Sequence, residues 1–163
     1  ILTVGVSAIL IVLKPLIIYL FAKDYNEAWI SAAVLVIGVM VHALAGNLGT
    51  VYTVFKNTTG ALKTSMIGAI TNVILNLIFI KFCGMNAAAW TTLISYIIVL
   101  AVRWNDTKEN VSLRIPKFDT IVYLFALLIS LLLYYVDNTW SYIVRVIVFV
   151  ILVYKSKDVI AGL

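Results

Sequence analysis

Long apolar runs are the feature that most limits what this chain can fold into. Six such segments can be cut from the sequence at clusters of charged and turn-forming residues. They cover residues 1–22, 29–54, 62–81, 86–104, 119–136 and 139–154. About 20 apolar residues are enough to cross the hydrocarbon core of a bilayer as a helix. The runs therefore predict an integral membrane protein.

The composition agrees with a membrane environment. Hydrophobic residues make up 64% of the 163 positions and charged residues 12%, whereas soluble domains carry about 25% charged residues. In lipid the backbone must satisfy its own hydrogen bonds, and apolar runs this long do so as helices rather than as the alternating strands of a barrel. The predicted fold class is all-α: a polytopic membrane bundle of about six transmembrane helices.

The chain begins at Ile1 inside an apolar run, and the run lacks the charged start and the cleavage site of a signal peptide. We therefore expect the chain to be the C-terminal portion of a longer protein. The last two spans are short and predict a hairpin that turns at Asp137 and Asn138. The predicted segments are a transmembrane core (1–104), a basic loop (105–118), a C-terminal transmembrane hairpin (119–154) and a tail (155–163).

The orientation follows from the lysines and arginines between the spans, because cytoplasmic loops carry an excess of them. The first, third and fifth connectors hold two, Lys23 and Lys81. The second and fourth connectors and the tail hold eight. These are Lys56, Lys63, Arg103, Lys108, Arg114, Lys117, Lys155 and Lys157. We expect the basic loop, the tail and hence the C-terminus to be cytoplasmic.

Signs of an enzyme or of nucleic-acid binding are missing from the sequence. There is no metalloprotease, nucleophile-elbow or phosphate-loop motif. A single cysteine and a single histidine leave thiol and metal chemistry without partners, and none of the seven acidic residues is central to a span. The positive charge lies between the spans, so it does not form a nucleic-acid surface. We expect no catalytic residues, no cofactor and no bound metal.

Two basic residues lie inside predicted spans and away from the span ends, where ionisable groups are costly and are functional candidates. Lys14 precedes Pro15, which weakens the helix at that point. Lys14 could meet an anionic group in a water-filled cavity, or its long stem could extend outward to the membrane surface. Arg145 follows Trp140 closely, and that interfacial aromatic favours outward extension for the arginine.

Polar uncharged residues cluster in the middle spans. Asn72 and Asn76 are four residues apart and so share one helical face. They could bond to a neighbouring helix or line a cavity, and Thr91, Thr92 and Ser95 of the next span are candidates for either role.

Span two contains small residues at close spacing, Ala45 and Gly49 with Gly46 beside them. Such residues let membrane helices approach closely. Packing is one interpretation of this stretch, and a cavity lined by Asn47 or His42 is the other.

Three stretches together resemble a known family: "LKPLIIYLFAKDYNEAW", "NTTGALKTSMIGAITNVILNLIFI" and "GMNAAAWTTLISY". Their order is similar to the C-terminal part of bacterial polysaccharide-unit flippases, whose superfamily also holds the lipid II flippases and the multidrug and toxin extrusion transporters. The resemblance covers residues 10–104. The chain departs from the family pattern at Lys81, where a proline is usual, and at Ala87 and the pair Thr91 and Thr92.

The resemblance implies a transporter of 12 or 14 helices in two lobes, with this chain forming most of the second lobe. It implies alternating access to a central cavity in the bacterial inner membrane. The substrate would be an oligosaccharide unit on a polyprenyl pyrophosphate, flipped for O-antigen or capsule synthesis. The implied partners are this lipid-linked oligosaccharide, membrane lipids, and the polysaccharide polymerase and chain-length machinery.

On this interpretation Lys14 pairs with phosphate, while Asn47, Asn72 and Asn76 contact sugar hydroxyls and Thr92 lines the same cavity.

Two rival functions stay open. A multidrug or cation extruder of the same superfamily would need carboxylates in its cavity, and none lies within these spans. A non-transporting membrane scaffold would match its polar residues between helices and leave no open cavity. An intramembrane enzyme lacks catalytic pairs.

Overall fold

The computed structural model describes residues 1–20, 28–108, 117–136 and 138–161, with side chains at all of these except 83, 85, 117–120 and 158–161. The described chain is helical throughout its spans. The helices are α1 (Leu2–Leu20), α2 (Ala28–Val54), α3 (Thr58–Phe82), α4 (Asn86–Thr107), α5 (Lys117–Tyr135) and α6 (Thr139–Ala161). The predicted all-α fold class is confirmed.

Five of these helices are long and apolar enough to cross a membrane: α1, α2, α3, α4 and α6. The apolar part of α5 is a shorter stretch, Ile121–Tyr135. Many large apolar side chains on these helices are exposed, for example Leu77 and Phe79 on α3. Outward-facing apolar side chains suit a helix surrounded by lipid rather than by water. The protein is a multi-pass membrane protein.

The turn from α2 to α3 is closed by hydrogen bonds at both helix ends. Lys56 adopts the left-handed conformation (φ 54°), and the Asn57 amide donates to the Tyr52 carbonyl at 2.8 Å. The Lys56 amide donates to the Thr53 carbonyl at 3.1 Å, so the pattern is the Schellman ending of a helix. The Asn57 side chain then caps α3 by accepting from the Gly60 amide at 2.9 Å. One residue therefore ends α2 and begins α3.

A single glycine separates α3 from α4. Gly84 has φ 54° and ψ −136° in the middle of an otherwise helical segment, Thr58–Thr107. Side chains with a Cβ rarely adopt this conformation, so glycine is suited to the break. The break lies in the predicted connector "KFCGMN" and agrees with the predicted division of the two spans.

Two helices extend further than the sequence indicated. α4 continues past residue 104 to Thr107, and α6 continues past residue 154 to Ala161. The predicted basic loop and tail therefore begin as helix. Asp137 and most of the basic loop lie outside the described residues, whereas Asn138 accepts a hydrogen bond from the Tyr142 amide at the start of α6.

The contacts divide the chain into two compact units. The first unit is Ile1–Val36 with Ile115–Leu163, and the second unit is Ile37–Arg114. In the first unit the C-terminal hairpin packs with α1 and with the start of α2. Within the first unit α1, α5 and α6 contact one another.

Tyr134 lies at the centre of the first unit and is fully buried. Its hydroxyl donates to the Trp29 carbonyl at 2.9 Å, and its ring centroid is 5.6 Å from that of Trp29. Tyr135 donates to the Ile30 carbonyl at 3.0 Å. These two bonds join the end of α5 to the start of α2.

Arg145 is buried within the first unit, between α1 and the ends of α5 and α6 that meet at the turn. It is 6% exposed, its Nη1 donates to the Leu10 carbonyl of α1 at 3.0 Å, and its guanidinium lies 5.8 Å and 5.5 Å from the ring centroids of Tyr134 and Tyr142. Buried arginines persist in lipid when carbonyls and aromatic faces replace water. Pro15 lacks the N–H that would donate to the Ile11 carbonyl, which is one residue after the Leu10 carbonyl that accepts from Arg145.

Candidate functional site

A polar cleft of about 460 Å³ lies inside the second unit, between α2, α3 and α4. Its polar lining residues are His42, Ser65, Asn72, Thr92, Ser95, Tyr96 and Arg103, and its remaining wall is formed by Gly68, Ala69, Val73 and Val99. The spacing on α3 explains how the wall forms, because Ser65, Gly68, Ala69 and Asn72 follow the i, i+3, i+4, i+7 repeat of one helical face. The volume is within the usual range of ligand sites, about 300–1,000 Å³.

The floor of the cleft is a chain of hydrogen bonds between α3 and α4. Thr91 donates to Asn76 Oδ1 at 2.8 Å, and Asn76 Nδ2 donates to Asn72 Oδ1 at 2.9 Å. Asn72 Nδ2 then donates to Thr92 Oγ1 at 3.3 Å, and Thr92 donates to the Ala88 carbonyl at 2.8 Å. All donors point the same way along the chain, so each bond polarises the next. Both amides are hydrogen-bonded to α4, and Asn72 also lines the cleft, so the two interpretations left open for these amides are both represented.

Arg103 of α4 provides the positive charge of the cleft. Its Nη1 donates to the Ala45 carbonyl at 2.8 Å, its Nε to Thr64 Oγ1 at 3.1 Å and its Nη2 to Ser65 Oγ at 3.1 Å. All three acceptors are uncharged. The carboxylate of Asp106, one turn later, accepts instead from the Tyr52 hydroxyl at 2.8 Å. None of the described hydrogen bonds of the guanidinium is to a carboxylate.

Small residues make room for these contacts. A Cβ at Gly49 would lie 2.8 Å from Arg103 Nη1, so the guanidinium occupies the space beside that glycine. At Gly68 a Cβ would overlap the Cγ2 methyl of Val99, so α3 and α4 meet closely there. A Cβ at Gly46, in contrast, would meet nothing within 4 Å. Gly49 thus accommodates a side chain from α4, and Gly46 takes no part in the packing.

The predicted site residues do not all gather at this cleft. Asn72 and Thr92 line it, and Asn76 is hydrogen-bonded to Asn72 directly behind it. Asn47 is exposed, its backbone carbonyl accepts from Thr50, and it is not part of the cleft wall.

Lys14 belongs to the first unit, whereas the cleft belongs to the second. The lysine is 8% exposed, and its Nζ lies 4.1 Å from the ring centroid of Trp29. Burial over an aromatic face is a recognised setting for a cation in a desolvated site. Trp29 is the second residue of α2, so Lys14 contacts the beginning of that helix.

Two cleft residues had weak signals in the sequence. His42 was one of the alternatives for a cavity in span two, and it lies in the cleft with its ring centroid 4.6 Å from that of Tyr96. Arg103 was counted with the basic loop because it precedes a polar stretch at the helix end. Its position one helical turn from Val99 and two from Tyr96 was the available clue, since these three share a face of α4.

The polar groups of the cleft are hydrogen-bonding groups and one guanidinium. Amides and hydroxyls suit sugar hydroxyls, and a guanidinium suits an oxyanion. Among the residues whose side chains are described, no three His, Cys, Asp or Glu side chains converge as metal ligands. Comparisons with family models, with curated proteins and with solved structures find no match to this chain.

Proposed function

We propose that the chain is part of a membrane transporter that flips a polyprenyl-pyrophosphate-linked oligosaccharide across the bacterial inner membrane for surface polysaccharide synthesis. The observation that carries the proposal is Arg103, a cation with three uncharged acceptors in a cleft whose floor is built from amides and hydroxyls. The three-stretch resemblance of the sequence supports the same function.

Such a transporter must lower the free-energy barrier to moving a charged, hydroxyl-rich head group through lipid. A pyrophosphate saccharide cannot cross about 30 Å of hydrocarbon unaided, because burying unpaired charge is so unfavourable. In the proposed mechanism the guanidinium pairs with a phosphate oxygen, and Asn72, Thr92 and Ser95 replace water around the sugar. The polyprenyl tail stays in the bilayer. Two lobes rocking around this site would then expose it alternately to each side.

The orientation proposed from the lysine and arginine bias puts the C-terminus and the α2–α3 turn in the cytoplasm. Arg103 would then be near the cytoplasmic end of α4, where the substrate is loaded. The proposed assembly has 12 or 14 helices, and this chain supplies part of the second lobe.

Replacing Arg103 by glutamine is expected to reduce the flux of lipid-linked oligosaccharide in reconstituted vesicles by about tenfold or more. Hydrogen bonds to charged groups contribute about 1.5–3 kcal/mol, and 1.4 kcal/mol is about a factor of ten. Lys108→Gln is the matched control, because it removes the same charge from the end of α4, where Lys108 contacts only Asn105 among its described hydrogen bonds. Equal flux in the two variants would exclude the phosphate role of Arg103.

Lys14→Gln tests the predicted phosphate role of Lys14 in the same vesicles. If Lys14 pairs with phosphate, its loss lowers flux, because glutamine keeps a polar group but no charge. Flux at the unaltered level would show that the buried lysine, held over the Trp29 ring, serves packing instead.

The cation extruder and the scaffold are the two alternatives. Within the described part of the chain the cleft wall contains a guanidinium and no carboxylate, which favours an anionic over a cationic substrate. The scaffold is favoured by the matched bonds of Asn72 with Thr92 and of Asn76 with Thr91, but it does not account for an open cleft beside them. Single cysteines introduced at Asn72 and at Thr92, with Cys83 removed, distinguish the transporter from the scaffold. Labelling by a water-soluble thiol reagent supports the transporter. Complete protection from the reagent on both sides of the membrane supports the scaffold.

A further inference from the structure

A second pocket, of about 420 Å³, lies between the beginning of α3 and the end of α4. Its polar lining residues are Lys63 and Thr64 from α3 and Asn105 and Asp106 from α4, and its remaining wall is formed by Gly60, Ile67 and Val102. The pocket and the polar cleft share no lining residue. The pocket is therefore a separate site, to which the proposed function assigns no role.

The pocket lies near the ends of two helices that are long enough to cross a membrane. Lys63 is the sixth residue of α3, and Asp106 is the last but one residue of α4. Trp104 is exposed in the same last turn of α4, and tryptophans are enriched where membrane helices meet the lipid head groups. The polar wall of the pocket is thus level with the head groups rather than with the hydrocarbon core.

The described wall of the pocket carries one charge of each sign. The Lys63 side chain is exposed, so its ammonium is accessible to a ligand. The Asp106 carboxylate is positioned by α2, because its Oδ2 accepts from the Tyr52 hydroxyl at 2.8 Å. A carboxylate has about four acceptor sites, so it can accept from a ligand as well as from a tyrosine. A wall with both charges complements a head group that also has both.

An apolar track leads from the pocket along both helices. On α3 the exposed residues that share the face of Lys63 are Ile67, Ile74 and Ile78. On α4 the face of Asn105 continues through Val102 to the exposed Ile94. Exposed apolar side chains in this arrangement suit acyl chains that descend from a head group held in the pocket.

We propose that this pocket binds one phospholipid with a zwitterionic, primary-amine head group, of which phosphatidylethanolamine is the type. The Lys63 ammonium pairs with the phosphodiester. The Asp106 carboxylate and the Asn105 amide oxygen accept from the ammonium of the lipid, which has three N–H donors like that of lysine. The acyl chains lie along the apolar track. The proposal goes beyond the proposed function and does not depend on it.

The charges of the wall distinguish this lipid from its two common relatives. Phosphatidylcholine has the same net charge, but its quaternary nitrogen has no N–H to donate to Asp106 or Asn105. Phosphatidylglycerol has the phosphate without a cation, so the Asp106 carboxylate would repel it. A pocket with basic residues alone would instead favour an anionic head group.

Titration of the purified chain in detergent with these three lipids tests the proposal, with matched acyl chains and bound lipid counted by native mass spectrometry. Phosphatidylethanolamine is expected to bind about threefold to fivefold more tightly than either relative, the scale of one ion pair at an exposed position. Equal affinities would show a non-selective lipid contact and overturn the proposal. Tighter binding of phosphatidylglycerol would overturn it in favour of an anionic lipid.

Two variants assign the selectivity to the two charged residues. Asp106→Asn keeps an acceptor for the Tyr52 hydroxyl, removes the charge, and should abolish the preference for phosphatidylethanolamine over phosphatidylglycerol. Lys63→Gln should weaken binding of all three lipids by about threefold to fivefold. Lys56→Gln is the matched control, because Lys56 is an exposed lysine of the α2–α3 turn outside the pocket wall. Equal affinities of the two lysine variants, or an unchanged preference in Asp106→Asn, would contradict the assignment.

A third measurement locates the lipid on the unaltered chain. Phosphatidylethanolamine with a photoreactive diazirine on one acyl chain should cross-link mainly to the apolar track, at Ile67, Ile74 and Ile78 of α3 and at Ile94 of α4. Cross-links spread evenly over the exposed apolar residues of all the described helices would show general solvation by lipid and overturn the proposal.

Discussion

Tyr134→Ala is expected to lower the free energy of unfolding by about 3–5 kcal/mol, the usual cost of truncating a large buried aromatic side chain. The ring is fully buried among Trp29, Tyr135 and Arg145, with centroids of the two aromatic neighbours 5.6 Å and 5.5 Å away. In lipid the loss is one of packing contacts, because membrane helices associate through close packing rather than through a hydrophobic drive. Unfolding by a denaturing detergent in bicelles measures the change.

Two variants separate the contributions at this position. Tyr134→Phe keeps the ring and removes the donor to the Trp29 carbonyl, so it should cost only about 1 kcal/mol. Tyr154→Ala removes the same kind of ring from the same unit, but Tyr154 is 79% exposed. This variant should therefore leave the free energy of unfolding almost unchanged. If Tyr134→Ala were no more destabilising than Tyr154→Ala, the central position of Tyr134 would be wrong.

Gly68→Ala is expected to destabilise the α3–α4 hairpin by about 1–3 kcal/mol, the range for overpacking a close contact. The added methyl would overlap the Cγ2 atom of Val99, whose side chain is branched at Cβ and cannot turn away as a flexible chain end could. The helices would have to separate, and the cleft between them would change shape. The same unfolding assay measures the loss.

Val99→Ala should restore most of that stability when combined with Gly68→Ala, because it removes the methyl that the new side chain meets. Gly46→Ala is the matched control: a Cβ there meets nothing within 4 Å, so the variant gains helix propensity and should be neutral or slightly stabilising. A Gly68→Ala protein as stable as Gly46→Ala would contradict the close approach of α3 and α4.

The fold was predictable to a large extent because most backbone structures other than a helix are unfavourable in a membrane. Each apolar run had to be helical once water was excluded, and the ends of α3 and α4 could be placed by Lys81 and the glycine that follows. The pairing of Asn72 and Asn76 with Thr91 and Thr92 was also readable from spacing. A buried amide in lipid needs a partner, and the next helix offered hydroxyls.

The two arginines show where sequence reasoning stops. Arg103 is at the end of a span among polar residues, which is the usual pattern of a solvated charge. Its acceptors on α2 and α3 depend on helix packing. Arg145 follows an interfacial tryptophan, and its acceptor is a carbonyl 135 residues away in the chain. A main-chain acceptor can belong to any residue type, so the sequence pattern could not have identified the carbonyls of Ala45 and Leu10 as partners of these arginines.

The one-way hydrogen-bond chain from Thr91 to the Ala88 carbonyl has a consequence for the alignment of α3 with α4. Two of its bonds cross between the helices, Thr91 to Asn76 and Asn72 to Thr92, and both can form at only one offset of α4 along α3. A displacement by a single residue would rotate both amides away from their threonines. The polar residues thus set the axial register of α3 against α4, independently of any ligand in the cleft beside them.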